Sequence, residues 1–260
     1  IIGHPDVRRM LLTMRANTEA ARALGYVTAA ALDRAHKHSN SETRKRELAF
    51  AELMIPIVKG WSTEMAQQTT SLGVQVHGGM GFIEEAGAAQ YVRDARITTI
   101  YEGTTGIQAN DLIGRKIVRD GGEALTAAVA TMRDVTRELD DADHSELAVI
   151  CAQLRLGVAA LEEAGRFVVK EFSNQPVAVL AAAVPFLELA GIVCGGAQLG
   201  RAALVAARKL GAGEGDANFL RAKIATARHF TEHCLTHAPG LRDTVLAGAA
   251  GLLAIADDQF

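Results

Sequence analysis

The run Ile100-Tyr101-Glu102-Gly103-Thr104 sets one carboxylate among isoleucine and tyrosine side chains. Apolar neighbours withdraw water from a carboxylate, which raises its pKa towards the range of a general base. Gly103 beside it permits a tight turn or a close-lying ligand, and a backbone N–H near such a glycine can donate to a developing oxyanion. The same residues also fit a solvated loop glutamate ahead of a helix, and local pattern alone favours that plainer reading. Upstream, Gln75-Val76-His77-Gly78-Gly79-Met80-Gly81 presents consecutive backbone N–H groups of the kind that cradle a phosphate or pyrophosphate. Its spacing is neither GxGxxG after a strand nor GxxxxGK(S/T), and a loop that ends a helix is the alternative.

Other constellations carry weaker signals. His229, His233 and His237 recur every four residues with Cys234 adjacent. On a helix they share a face, and His229 with His233 could chelate zinc. No HExxH and no placed acidic base accompany them, so a packed or solvated histidine stripe is the favoured reading and no metal is assigned. Asp140, Asp141 and Asp143 lack the glycine and closing glutamate of a calcium loop. Met10, Met14, Met54 and Met65 fall at helical spacing and read as core. Trp61, the one tryptophan, reads as core or domain-interface packing. His36 and His38 read as surface.

The elements that must position these residues read as helices throughout. Val7, Met10, Leu11, Met14, Leu24, Val27 and Ala31 recur at three- and four-residue steps, which predicts a helix over 6–37 opened by Pro5, with Asp6 in its electropositive first turn. A second helix is expected over 42–73, kinked at Pro56. A short helix follows over 85–95. The β-branched, glycine-punctuated stretch 97–106 reads as extended or looped. Helix resumes at Ile107 and stops before Gly121-Gly122. Beyond it, helices are expected at 123–139, 145–173, 175–211 with a break near Pro185, 217–236, and from about 240. The fold class is therefore all-α: an up-and-down bundle over 1–120 followed by a second helical bundle over 121–260.

Composition narrows the class. The 260 residues are 49% apolar and 22% charged, which excludes a disordered chain. Three scattered cysteines, Cys151, Cys194 and Cys234, exclude a disulfide scaffold and point to reduced thiols in a cytoplasmic setting. The net charge of −3 gives no basic footprint for nucleic acid. The most apolar window, 177–197, is long enough to span a bilayer, but Pro185, Glu188 and Gly195-Gly196 interrupt it, and a buried helix with no integral membrane segment is expected. The opening Ile1-Ile2-Gly3-His4-Pro5 has no charged-then-apolar leader and reads as the start of a trimmed or partial chain.

Taken together, Gln75-x-x-Gly78-Gly79-x-Gly81-Phe82, then Tyr91-Val92-Arg93-Asp94-Ala95-Arg96, then Ile100-Tyr101-Glu102-Gly103-Thr104 closely resemble the C-terminal helical domain of the acyl-CoA dehydrogenase family over residues 1–120. The remainder is similar, more loosely, to the additional C-terminal helical domain of a long subgroup of that family, chiefly through Phe219–Phe230 and the closing Ala-Gly-Ala-Ala-Gly-Leu-Leu-Ala stretch. The resemblance implies an FAD-dependent dehydrogenation of an acyl-CoA thioester to the trans-2-enoyl-CoA. It implies Glu102 as the base for the α-proton, with Tyr101 and Gly103 lining the acyl site and Thr104 facing the flavin. It further implies that Gln75, His77, Gly78 and Gly79 contact the FAD of a neighbouring subunit, in a homodimer or dimer of dimers that passes electrons to an acceptor such as an electron-transfer flavoprotein. Arg93-Asp94 is expected to form an ion pair within its motif. Gly106 stands where many members have Gln. The family's N-terminal helical domain, middle β-domain and the arginine-bearing segment before the first helix have no counterpart here, so turnover by these residues alone is not expected. The alternative within the family is an oligomerisation or interaction module that has lost catalysis.

Overall fold

The computed structural model describes residues 1–142 and 144–259, and no strand occurs among them. Two long helices, α1 (Pro5–Lys37) and α2 (Ser41–His77), form the first hairpin. Pro5 occupies the first turn of α1, where its missing N–H costs nothing. The hairpin turn is closed by Asn40, whose side chain accepts from the Thr43 N–H at 2.9 Å, and by Arg44, which donates to the carbonyls of His38 and Ser39. Such a cap stabilises a helix by about 1 kcal/mol. Pro56 lies buried inside α2, and the helix is continuous through it to His77, four residues past the expected end.

The chain then makes a one-turn helix α3 (Gly79–Phe82), a 3-10 turn at Glu84–Ala86 and the helix α4 (Ala88–Arg96). Residues Ile97–Thr99 continue as a 3-10 turn, not as the extended segment their β-branching suggests. Thr98 and Thr99 satisfy their hydroxyls on the carbonyls of Ala95 and Arg96, a local bonding pattern that lets threonine sit in a helical turn. Helix α5 (Thr105–Asp111) begins two residues earlier than expected and widens into π-type turns over Leu112–Ile117.

Helices α6 (Glu123–Asp140), α7 (Ser145–Glu171), α8 (Pro176–Ala181), α9 (Ala183–Gly211), α10 (Ala217–His233) and α11 (Ala238–Leu246) complete the fold. The acidic link of the sequence ends at Asp143, which lies outside the described residues. The break between α8 and α9 falls at Ala182 and leaves Pro185 in the first turn of α9. A proline is tolerated there and would clash one turn further in.

Helix α9 is the spine. Among the described residues it is the one helix long and apolar enough to cross a membrane, and most of that stretch is buried inside the protein. Its small residues let neighbours approach from every side. Gly191 and Gly195 face Trp61 of α2, Gly196 faces Phe230 and Leu235, and Gly200 faces Leu139, Ile150 and Leu154. One continuous apolar core results, running from Leu24 and Trp61 through Phe186 and Val193 to Phe230 and Val245. Trp61 is 5% exposed and does bridge the two halves of the sequence. Met10, Met54 and Met65 are buried as expected.

Candidate functional site

Glu102 sits in the loop between the Ile97–Thr99 turn and α5, and its backbone is unusual. With φ at +54° it is the one non-glycine residue with positive φ among the described residues. A left-handed conformation costs an L-residue roughly 1–2 kcal/mol, and such strain persists only where surrounding contacts over-determine it. Gly103 follows at φ +86°. A Cβ at Gly103 would lie 3.0 Å from Gln108 Nε2 and 3.3 Å from Ile107 Cγ2, so only glycine fits.

The contacts that hold this loop are specific. Gln108 Nε2 donates to the Glu102 carbonyl at 3.0 Å. Lys59 Nζ, from the middle of α2, donates to the Gly103 carbonyl at 2.6 Å. Thr104 caps α5, its hydroxyl oxygen accepting from the Ile107 N–H at 3.3 Å, and the Thr105 hydroxyl donates to the Glu64 carboxylate. The carbonyls of Glu102 and Gly103 are thus taken up. The N–H groups of Glu102, Gly103 and Thr104 meet no acceptor among the described residues. A carboxylate-bearing residue is therefore followed by an array of free donors, the arrangement an oxyanion requires.

Solvation differs from the sequence expectation. Glu102 is exposed, and Ile100 and Tyr101 are 47% and 51% exposed. The apolar neighbours flank the carboxylate along the chain but do not roof it, because Ile97, Ile100, Tyr101 and Ile107 are themselves exposed. So broad an apolar surface around one loop is the mark of a face that another part of a protein covers.

The glycine turn lies elsewhere. Gln75, His77, Gly78 and Gly79 are all exposed at the C-terminal end of α2. The His77 ring is bonded to the Gly73 carbonyl at 2.7 Å. Gly78 has φ +63° and ψ −145°, a conformation reserved for glycine, and no atom lies within 4 Å of where a Cβ would stand at either Gly78 or Gly79. The turn is a bare strip of backbone open to a ligand. At a rise of about 1.5 Å per residue, His77 lies about 27 Å along α2 from Lys59, which marks the level of the Glu102 loop. The fold does not bring the two sequence clusters into one pocket.

Arg93 pairs with Glu84 at 3.5 Å and not with Asp94. On a helix consecutive side chains diverge by about 100°, so neighbours in sequence cannot face each other. The histidine stripe is split, with His229 buried and His233 and His237 exposed, and no group of three or more metal-ligating side chains occurs among the described residues. His229 is buried, its Nε2 lies 2.9 Å from the Thr13 hydroxyl, and its ring stacks on His233 at 4.2 Å. Burial, followed by repulsion from His233, holds the His229 pKa below its ordinary value. His233 and His237 border an open groove of about 450 Å³ between α1, α2, α9 and α10, together with Arg9, Glu64, Glu188 and Cys234. Burial pushes the Cys234 thiol up to about 11, which leaves it without nucleophilic character at neutral pH. Lys59 and Gln108 were not legible as site residues in the sequence. Lys59 stands 44 positions from its partner, and only the positive φ of Glu102, invisible in one sequence, calls for them.

Comparison with known proteins finds two family models on the chain. A family model described as "Acyl-CoA dehydrogenase, C-terminal domain" matches residues 1–117, and one described as "Acetyl-CoA dehydrogenase C-terminal like" matches residues 119–256. The chain is 48% identical to a 3-methylmercaptopropionyl-CoA dehydrogenase of Ruegeria pomeroyi over 90% of its own length and 40% of the relative's. It is 34% identical to a butyryl-CoA dehydrogenase of Syntrophomonas wolfei over 95% of its own length and 40% of that protein's. The chain thus spans about 40% of the length of these curated relatives. In fold it is similar to the crystal structure of Caenorhabditis elegans ACDH-11 in complex with C11-CoA, with a TM-score of 0.72 at 20% identity over 89% of this chain and 37% of that one. It is also similar to an acyl-CoA dehydrogenase from Bacillus anthracis complexed with FAD, with a TM-score of 0.64 at 18% identity over 100% of this chain and 45% of that one. The chain belongs to the acyl-CoA dehydrogenase family and corresponds to its C-terminal helical region.

Proposed function

We propose that this chain is the base-bearing part of an FAD-dependent acyl-CoA dehydrogenase that converts an acyl-CoA thioester to the trans-2-enoyl-CoA. The observation that carries the reading is the Glu102 loop: a carboxylate on a strained backbone, with both carbonyls of Glu102-Gly103 held and three successive N–H groups free. In this reading the Glu102 carboxylate takes the α-proton. The proton of a thioester α-carbon is far less acidic than a carboxylic acid, so abstraction needs the thioester carbonyl polarised, and in this reading the free Glu102 N–H would donate to it. Tyr101 and Gly103 line the acyl side. Bound FAD would accept the β-hydrogen as hydride.

The glycine turn fits one wall of an FAD site. Gln75, His77, Gly78 and Gly79 form an exposed strip on which a pyrophosphate can lie against backbone without meeting a side chain, while the flavin end of the same FAD would lie near the Thr104 position of the other subunit. The separation of about 27 Å along α2 favours two different active sites for these two clusters, hence a homodimer or a dimer of dimers. Residues 121–260 act as an accessory bundle that buttresses α2 through Trp61 and α9. Reduced thiols suit a cytoplasmic protein that passes electrons to an electron-transfer flavoprotein.

The test is an absorbance titration of the full-length protein with a series of acyl-CoAs, including 3-methylmercaptopropionyl-CoA and butyryl-CoA. A bound flavin bleached by at least one of them supports the reading. Flavin that stays oxidised with every acyl-CoA, in a folded oligomer, would replace it with the catalytically inactive module.

A further inference from the structure

We propose that Lys59 is a positioning residue for Glu102. Its ammonium clamps the Gly103 carbonyl and so keeps Glu102 in the left-handed backbone conformation that aims the carboxylate. The proposal rests on the reading of Glu102 as the proton-abstracting base.

Lys59 is half-buried in the middle of α2 and donates to Gly103 O at 2.6 Å. Among the described residues its ammonium pairs with no carboxylate. An ammonium partly withdrawn from water needs fixed dipoles around it, and the Gly103 carbonyl is the acceptor it has. A charge-assisted bond of this length is stronger than a neutral one. Its site of action is the one place where the backbone needs restraint, next to the single non-glycine residue at positive φ among those described. Released, Glu102 would relax to negative φ, and its Cβ would swing to another side of the chain.

Gln108 bonds the Glu102 carbonyl, but it stands six positions away on the short helix that continues the loop and travels with it. Lys59 differs. It belongs to a helix of 37 residues, and its neighbours Gly60 and Trp61 are buried against Leu187 and Gly191 of α9. The Lys59–Gly103 bond therefore ties the loop to the body of the protein, and the accessory bundle stiffens the helix that carries the tie.

The experiment uses the full-length protein with Lys59→Met and Lys59→Arg. Hydrogen exchange of the segment 100–108 is followed without substrate at its bonded amides, those of Ile100, Tyr101, Ile107 and Gln108, alongside the rate of flavin bleaching and the acyl-CoA concentration giving half of it. Lys59→Met is expected to speed exchange of this segment by roughly tenfold to a hundredfold, the usual effect of losing a hydrogen bond to a charged group. Bleaching should slow by a similar factor while half-saturation and FAD content stay within about twofold, and Lys59→Arg should recover most of both. Unchanged exchange of 100–108 in Lys59→Met overturns the clamp, as does Lys59→Arg behaving no better than Lys59→Met. If Lys59→Met does not fold, Lys59→Gln takes its place under the same criteria. Exchange is read without turnover, so it judges the clamp even if Glu102→Gln bleaches normally and the base assignment itself falls.

Discussion

Trp61 lies against the bare backbone of Gly191, so close that a Cβ on Gly191 would stand 2.1 Å from the indole Cγ. That contact joins the helix bearing the Glu102 clamp to the spine of the second half. Because Cγ and Cβ of a buried indole cannot step aside, Gly191→Ala must push α2 and α9 apart. A destabilisation of about 1–3 kcal/mol is expected, visible as a lower midpoint in urea or heat. Gly25→Ala is the control. It lies within α1 with nothing within 4 Å of its Cβ position, and it should stabilise by about 0.5–1 kcal/mol. Equal midpoints for the two variants would refute the packing described.

Glu102→Gly separates stability from function. Glycine adopts positive φ freely, so this change should raise stability by about 1 kcal/mol while removing the carboxylate. Glu102→Gln keeps the strain and should leave stability near that of the parent. Both should retain FAD and lose flavin reduction by about two decades or more. A Glu102→Gly protein less stable than the parent would mean that the left-handed backbone is no burden here.

Residues with strong local signals were legible in the sequence. The periodic runs of α1, α2, α6 and α7 and the glycine stop at Gly121-Gly122 follow from 3.6-residue spacing and from positive φ, which are properties of short segments. What the sequence conceals depends on distance or on competition. The Ile97–Thr99 turn goes helical because its threonines bond their own backbone. Arg93 turns to Glu84 because the intervening turn brings Glu84 back. The Glu102 loop is exposed because its apolar neighbours face outward, and its clamp comes from a helix 44 positions earlier.

The buried His229 makes stability depend on pH. Its folded pKa is held below the ordinary value of 6.5, first by burial and then by repulsion from His233. The unfolded chain therefore binds the proton more readily than the folded one. The His229 contribution is present in full above about pH 6.5 and is lost as pH falls through the folded pKa, with a slope of at most about 1.4 kcal/mol per pH unit. Melting points at pH 7.5 and pH 5.5 should differ for the parent and differ less for His229→Gln, which keeps a partner for Thr13. The same pH dependence in both proteins would clear His229 of the effect.

The last prediction concerns which site the glycine turn serves. Glu102 and Gly79 belong to one chain but stand at levels of α2 about 27 Å apart, so the turn and the base of one subunit are expected to serve different active sites. Gly79→Leu tests this more cleanly than a change at Gly78. Gly78 sits at φ +63° and would be strained by any side chain, whereas a Cβ on Gly79 meets nothing within 4 Å. The leucine then obstructs a ligand without disturbing the helices, and unchanged melting confirms that. In full-length protein, mixed dimers would be prepared with Gly79→Leu in one subunit and Glu102→Gln in the other. If the turn serves the partner's site, both defects meet in one site and the second site is wholly intact, so about half of the sites should hold flavin that bleaches at the parent rate. If it serves its own subunit, each site carries one defect and none bleaches normally. Full loss of activity in the mixed dimer, with each tag purified to equal amounts, would therefore place the turn and the base in the same site.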